Sequence, residues 1–219
     1  KDSEIDLTFK VEEKATGTAS IGMGYSGRDG IVGTIGLQIP NFLGNGQILD
    51  FQAEVGPRRS TLRAGFTEPW FLNTPTSLSG QIFQDTQRFF TDYDLRRLGG
   101  IVRVGRRLAW PDYSRVGIGY RIERTDYINI REDLDATFQS RLVDNVTSLV
   151  NLNYTRDSRD FPIFSTSGST FSYTPSVAGG VLGGNTNFHK HDFATSFYVP
   201  LLWKFALGLK TQLGLVAGF

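Results

Sequence analysis

The sequence predicts an all-β protein: a transmembrane antiparallel up-and-down β-barrel, of which this chain supplies about eleven strands. Three observations lead there. Apolar residues recur with a period of two in segment after segment, and no segment of helical period separates them. The three tryptophans, Trp70, Trp110 and Trp203, all fall in alternate turns. Apolar residues never run to the ~18 in a row that a spanning helix needs. Strand alternation, which hides apolar residues behind a slightly negative mean hydropathy, remains open as a route into a bilayer.

Residues 1–16 stand apart. In KDSEIDLTFKVEEK (residues 1–14), Ile5, Leu7, Phe9 and Val11 alternate with charged and hydroxyl residues, the pattern of a half-buried strand in a water-soluble domain. One strand makes no domain, so residues 1–16 are expected to close a unit that precedes the barrel segment, 17–219. The first barrel strand, 18–25, sets Ala19, Ile21, Met23 and Tyr25 against Ser20, Gly22 and Gly24. After the turn SGRDG (26–30), the second strand, 31–39, carries Ile31, Gly33, Ile35, Leu37 and Ile39 on one face. The third, 47–55, opposes Leu49, Phe51, Ala53 and Val55 to Asp50, Gln52 and Glu54. Further strands are expected at 61–68, 77–84, 97–106, 114–124, 147–154, 169–177, 193–199 and 205–216. The last of these places Leu207, Leu209, Leu213 and Leu215 opposite Lys210 and Gln212.

In a meander, odd-numbered turns lie at one end and even-numbered turns at the other. The even turns are PNFLGNG (40–46), PWFLNTP (69–75), LAWPDYS (108–114), DSRDFPIFSTSG (157–168) and PLLWK (200–204), and each contains proline. Together they hold Phe42, Trp70, Phe71, Trp110, Phe161, Phe164 and Trp203. Amphipathic rings settle at the lipid headgroup level, so these seven are expected to form an aromatic rim at one interface. The odd connections include the long, polar ones (85–94, 129–145, 178–192), as extracellular loops do opposite short periplasmic turns. That asymmetry puts the rim on the periplasmic side. An odd strand count leaves an open edge in lipid, so the barrel is expected to continue past Phe219. The competing reading takes Leu213, Leu215, Ala217 and Phe219 as the aromatic C-terminus of an outer-membrane protein.

Chemistry-bearing constellations are few. There is no cysteine, hence no disulfide or thiolate metal site, and the net charge of +1 makes no case for nucleic acid. His189 and His191, with Asp192, have the spacing of a weak metal site, but Lys190 between them repels a cation and a solvated loop end is favoured. The serines of STSG (165–168) read as turn formers and not as nucleophiles. Asp157, Arg159 and Asp160 read as a salt-bridged turn. The GRDG and VLGGN runs lack the following helix that phosphate binding needs. No metal, cofactor or catalytic residue is expected.

NFLGNG (41–46), TEPWFLNTP (67–75) and DSRDFPIFSTSGS (157–169) resemble, in order and spacing, three periplasmic-side turns of the BamA-type outer-membrane assembly factors. The resemblance spans nearly the whole chain. It implies a sixteen-stranded barrel whose first eleven strands are here, with residues 1–14 as the closing strand of a last periplasmic POTRA domain. The family's VRGF-type motif, on the loop after strand eleven, is not in this sequence, which stops where that loop begins. Gly22 and Gly24 of the first strand weaken its packing; read alone, such glycines ease barrel curvature. Read with the resemblance, they imply a loosely sealed seam. There Thr18, Ala19, Ser20, Ile21, Gly22, Met23, Gly24 and Tyr25 offer a free edge to a client strand. The implied function is insertion of β-barrel proteins into the bacterial outer membrane by strand addition, with no bond chemistry. The implied partners are unfolded outer-membrane clients, periplasmic accessory lipoproteins and outer-membrane lipid. The alternatives are an outer-membrane translocation or solute pore of the same barrel superfamily, lined by Asp50, Glu54, Arg103, Arg121 and Lys210, and a barrel lipase, which the lack of an activated serine disfavours.

Overall fold

Eleven antiparallel strands follow one another in strict chain order in a single sheet, in a computed structural model that describes residues 8, 10, 17–88 and 92–218. They are β1 (Thr18–Ser26), β2 (Gly30–Phe42), β3 (Gln47–Val55), β4 (Arg59–Glu68), β5 (Thr76–Arg88) and β6 (Asp94–Arg107), then β7 (Ser114–Ile128), β8 (Asn145–Asp157), β9 (Gly168–Ala178), β10 (Phe188–Pro200) and β11 (Ala206–Gly218). The sheet is not closed by these strands: β1 pairs only with β2, and β11 only with β10. The expected strand at residues 1–14 lies outside the described residues.

The strands run beyond their sequence-predicted ends. β5 continues to Arg88, β7 to Ile128, and β10 begins at Phe188. The apolar alternation stops at the edge of the hydrocarbon, but the backbone ladder continues wherever a neighbour remains to pair with. Among the described residues, the one helix longer than a single 3₁₀ turn is α1 (Ala136–Gln139), in the connection from β7 to β8. Asp135 caps it, accepting from the Thr137 and Phe138 N–H groups at 2.8 and 3.2 Å.

Register assigns every side chain to a face. Asp50 lies opposite Gly65, Thr61 opposite Asp85, Asp85 opposite Arg97, Arg103 opposite Gly119, and Ser196 opposite Lys210. Glu54 shares that polar face through Thr61, and Arg121 by its two-residue spacing from Gly119. The opposite face is apolar. On β6 its residues from Arg96 to Arg106 are Leu98, Gly100, Val102 and Val104, with no charge between the two arginines. Ten residues of strand at ~3.3 Å each, tilted as barrel strands are, give an apolar band about 25 Å tall, the height of a bilayer's core. Two buried hydroxyls on the apolar face are paired: Ser148 and Ser114 hydrogen-bond to the Tyr120 and Tyr154 hydroxyls at 3.0 and 3.1 Å.

Val102 sits midway along that band. Val102→Arg is therefore expected to lower stability by about 2–4 kcal/mol, whereas Gln81→Arg on the polar face is expected to be near neutral. Urea unfolding of the protein in lipid vesicles measures both.

Candidate functional site

Strand β1 is the sheet's first edge. It is nine residues long, and all nine are exposed. Ile21, Met23 and Tyr25 are 87, 84 and 79% exposed, since only β2 covers them. The backbone N–H and C=O groups that do not point at β2 point away from the sheet, a row available to another strand. All eight residues predicted as a pairing edge, Thr18 to Tyr25, lie in this strand. β11 is likewise exposed throughout and, like β1, paired along its whole length with a single neighbour, but it is thirteen residues long.

The two glycines of β1 are not equivalent. A Cβ on Gly22 would stand 2.7 Å from the Thr34 hydroxyl, so glycine here makes room for a side chain of β2. Gly36 of β2 reciprocates, its missing Cβ giving space to the Ser20 hydroxyl at the same distance. Around Gly24 nothing lies within 4 Å. Interlocking accounts for Gly22; at Gly24 no neighbour takes up the space a side chain would fill.

The polar wall further along the sheet is tightly tied. Asp85 accepts from the Thr61 hydroxyl at 2.6 Å and from Arg97 at 3.1 Å, and Arg59 lies 3.7 Å from it. The buried Phe83 ring lies against Gly99, where a Cβ would be 2.7 Å from the ring's tip, and the Arg121 guanidinium stacks 5.0 Å over it while pairing with Glu123. The sequence displays this network only as polar residues at alternate positions; its partners become visible with the register.

The seven predicted rim aromatics all occur in or beside the even turns, at one end of the sheet. Trp70, Trp110, Phe161, Phe164 and Trp203 are more than half exposed, and Phe71 less so. Four of these turns are built on left-handed backbone at residues other than glycine: Asn41 and Leu43, Leu72 and Asn73, Tyr113, and Trp203. Side chains hold them. The Asn41 amide oxygen accepts from the Gly46 N–H at 2.7 Å, and Glu68 accepts from the Trp70 N–H at 3.0 Å and from Gln47 of the neighbouring turn at 2.8 Å. In the turn after β8, Asp157 takes two bonds from Arg159, at 2.8 and 2.7 Å. Asp160 accepts from the Phe161, Thr166 and Ser167 N–H groups and from the Thr166 hydroxyl. That hydroxyl first, then the N–H groups, hold its carboxyl well below the usual carboxylate range.

The remaining sequence candidates separate in space. His189 and His191 belong to β10, not to a loop, and the Tyr173 hydroxyl binds the His191 Nδ1 at 2.9 Å. Asp192 is on the other face, paired with Lys190 at 2.9 Å, so the three cannot share one ion. No group of three potential metal ligands occurs among the described residues. The Ser165 hydroxyl donates to the Phe161 carbonyl at 2.6 Å, inside the turn, at the sheet end opposite the histidines.

Residues 41–219 match the Omp85 superfamily domain. The chain is 31% identical over 192 residues to the outer membrane protein assembly factor BamA of Nitratidesulfovibrio vulgaris, covering 87% of this chain and 24% of that protein. It is 26% identical over 207 residues to the sorting and assembly machinery component 50 homolog A of Xenopus laevis, covering 91% of this chain and 42% of that protein. Among solved structures, BamA from Haemophilus ducreyi lacking POTRA domains 1-3 has the same fold, with a TM-score of 0.73 at 18% identity over 95% of this chain and 42% of that chain. This chain thus spans about a quarter of one curated relative and less than half of the other.

Two outcomes follow from the strand and the turn. Gly24→Ala is expected to raise the urea midpoint, by about 0.5–1 kcal/mol of stability, and Gly22→Ala to raise it less because the Thr34 hydroxyl must swing away. Because the Asp160 pKa is depressed by folding, its contribution is fully present above the ordinary value of 3.8 and is lost as pH falls toward the folded-state value. The stability difference between wild type and Asp160→Asn, from urea titrations, is expected to be constant above about pH 4 and to shrink below it.

Proposed function

The chain belongs to the Omp85 superfamily, and from that premise we propose that it works in the assembly of β-barrel proteins in the bacterial outer membrane, with β1 as the docking edge for client strands. The chain is an outer-membrane β-barrel segment. The observation that carries the assembly reading is β1 itself: a terminal, nine-residue strand, exposed throughout and with small residues on its polar face, in the same sheet as a wall cross-linked through Asp85 and Arg121.

The mechanism is strand exchange. A client's terminal strand pairs with the open backbone row of β1, and main-chain hydrogen bonds supply affinity independent of client sequence. Each further client hairpin templates on the last, so its backbone groups are satisfied before they meet hydrocarbon. The small contact surface around Gly24 keeps the β1 pairing weak, and this permits release of the finished barrel. Unfolded outer-membrane clients and periplasmic accessory lipoproteins are the partners of this reading. The aromatic turns carrying Trp70, Trp110 and Trp203 anchor the periplasmic interface.

Site-specific crosslinking tests it. Cysteines at Ser20, Gly22 and Gly24 of the full-length protein, paired with cysteines along a client's last strand, are expected to trap a stalled client in one consistent register. Cysteines at Ala64 of β4, inside the sheet, are expected to trap none. Failure at every register on β1 while the client still assembles would sink the proposal.

A further inference from the structure

We propose that Arg103, Arg107 and Arg115 form a docking groove on the polar wall for an acidic polypeptide segment in extended conformation. Arg107 and Arg115 are direct cross-strand partners on β6 and β7. Like charges placed opposite one another repel, and the arrangement is stable when an anion lies between them. Arg103 stands on the same face, four residues up β6. Among the described residues, the side chain of none of the three makes a hydrogen bond or ion pair, although their backbones belong to the ladder.

The nearby carboxylates are otherwise engaged or out of reach. Asp157 is held by Arg159 and feels Arg115 only through space, and Asp160 is filled by its own turn. Asp112, on the β6–β7 turn, pairs with neither arginine. By contrast, Asp85 and Glu123 on the same wall neutralise Arg97 and Arg121.

The shape between the arginines selects a peptide. Gly105 and Gly117 are cross-strand partners, and Gly119 lies opposite Arg103, so these three positions add no side chain of their own to the floor, over which the Ser77 hydroxyl and the Asn151 amide reach. The space above it is a cavity of about 800 Å³, flanked by Ser79 and Asn151, whose side chains hydrogen-bond to nothing among the described residues. Arg107 and Arg115 also line a second cavity of about 370 Å³, toward the Asp160 turn. Arg103 and Arg107 are separated by four strand residues, roughly 13 Å, which is too far for one phosphate and equals the spacing of carboxylates at positions i and i+4 of an extended chain. Ser79 and Asn151 are placed to meet its peptide groups. The groove faces away from the apolar band, so membrane lipid does not supply the anion. It opens at the end of the sheet that holds the even turns, the end where the assembly reading has polypeptide arrive. The proposal borrows only that orientation, and peptide binding is measured without assembly, so either reading can fail alone.

The test uses the full-length protein in lipid nanodiscs and a fluorescent Ser/Thr peptide carrying two glutamates four residues apart. Anisotropy is expected to report binding that weakens with salt and falls about tenfold or more in Arg107→Gln/Arg115→Gln and in Arg103→Gln. Lys210→Gln, on the same wall at β11, is expected to bind as wild type. Arg107→Glu/Arg115→Glu is expected to prefer the peptide with lysines in place of the glutamates, a gain that misfolding cannot produce. Wild-type binding of a glutamine-substituted peptide, indifference to the arginine substitutions, or displacement of the peptide by equimolar inorganic phosphate would each overturn the proposal.

Discussion

A backbone in hydrocarbon has no water to bond to, and the whole sheet is arranged around that deficit. Eleven strands pair in unbroken sequence order, and the hydroxyls of Ser114 and Ser148 find tyrosine partners on the apolar face. Strand order, face assignment and the position of the turns all follow from it. So does the significance of β1: where pairing is compulsory, an edge strand with a neighbour on one side alone is the place at which a new strand gains most.

The wall and the edge divide the labour. Along β4 to β7, Asp85 joins Thr61, Arg97 and Arg59, and Phe83 is clamped between Gly99 and Arg121, giving a stretch that resists deformation. Toward β1 such bonds disappear, and small residues replace them. A stiff arc next to a soft one confines conformational change to a known position.

Much of this was legible in the sequence because a barrel writes its environment residue by residue. Alternation gave the eleven strands, and the parity of the turns gathered Trp70, Trp110 and Trp203 at one end. Strand ends were not legible, since residues such as Arg88 and Asp126 beyond the bilayer are polar on both faces and lose the period of two while keeping the ladder. His189 and His191 were placed before β10 for the same reason. Cross-strand relations were also hidden. That Arg107 opposes Arg115, or that Gly22 shelters the Thr34 hydroxyl, depends on register, which no single strand reveals. Asp160 passed as half of a salt bridge because its partners are N–H groups and a hydroxyl, which composition does not count.

One habit of the inner wall recurs at separate points. The Asp50 carboxylate lies over Gly65, the Phe83 ring over Gly99 and the Asn151 amide over Gly119, each occupying the space a Cβ would take. These side chains recline along the sheet where they could stand up from it. A tube lined this way has a wider bore than its circumference alone implies, with a polar lining kept thin and clear of the axis.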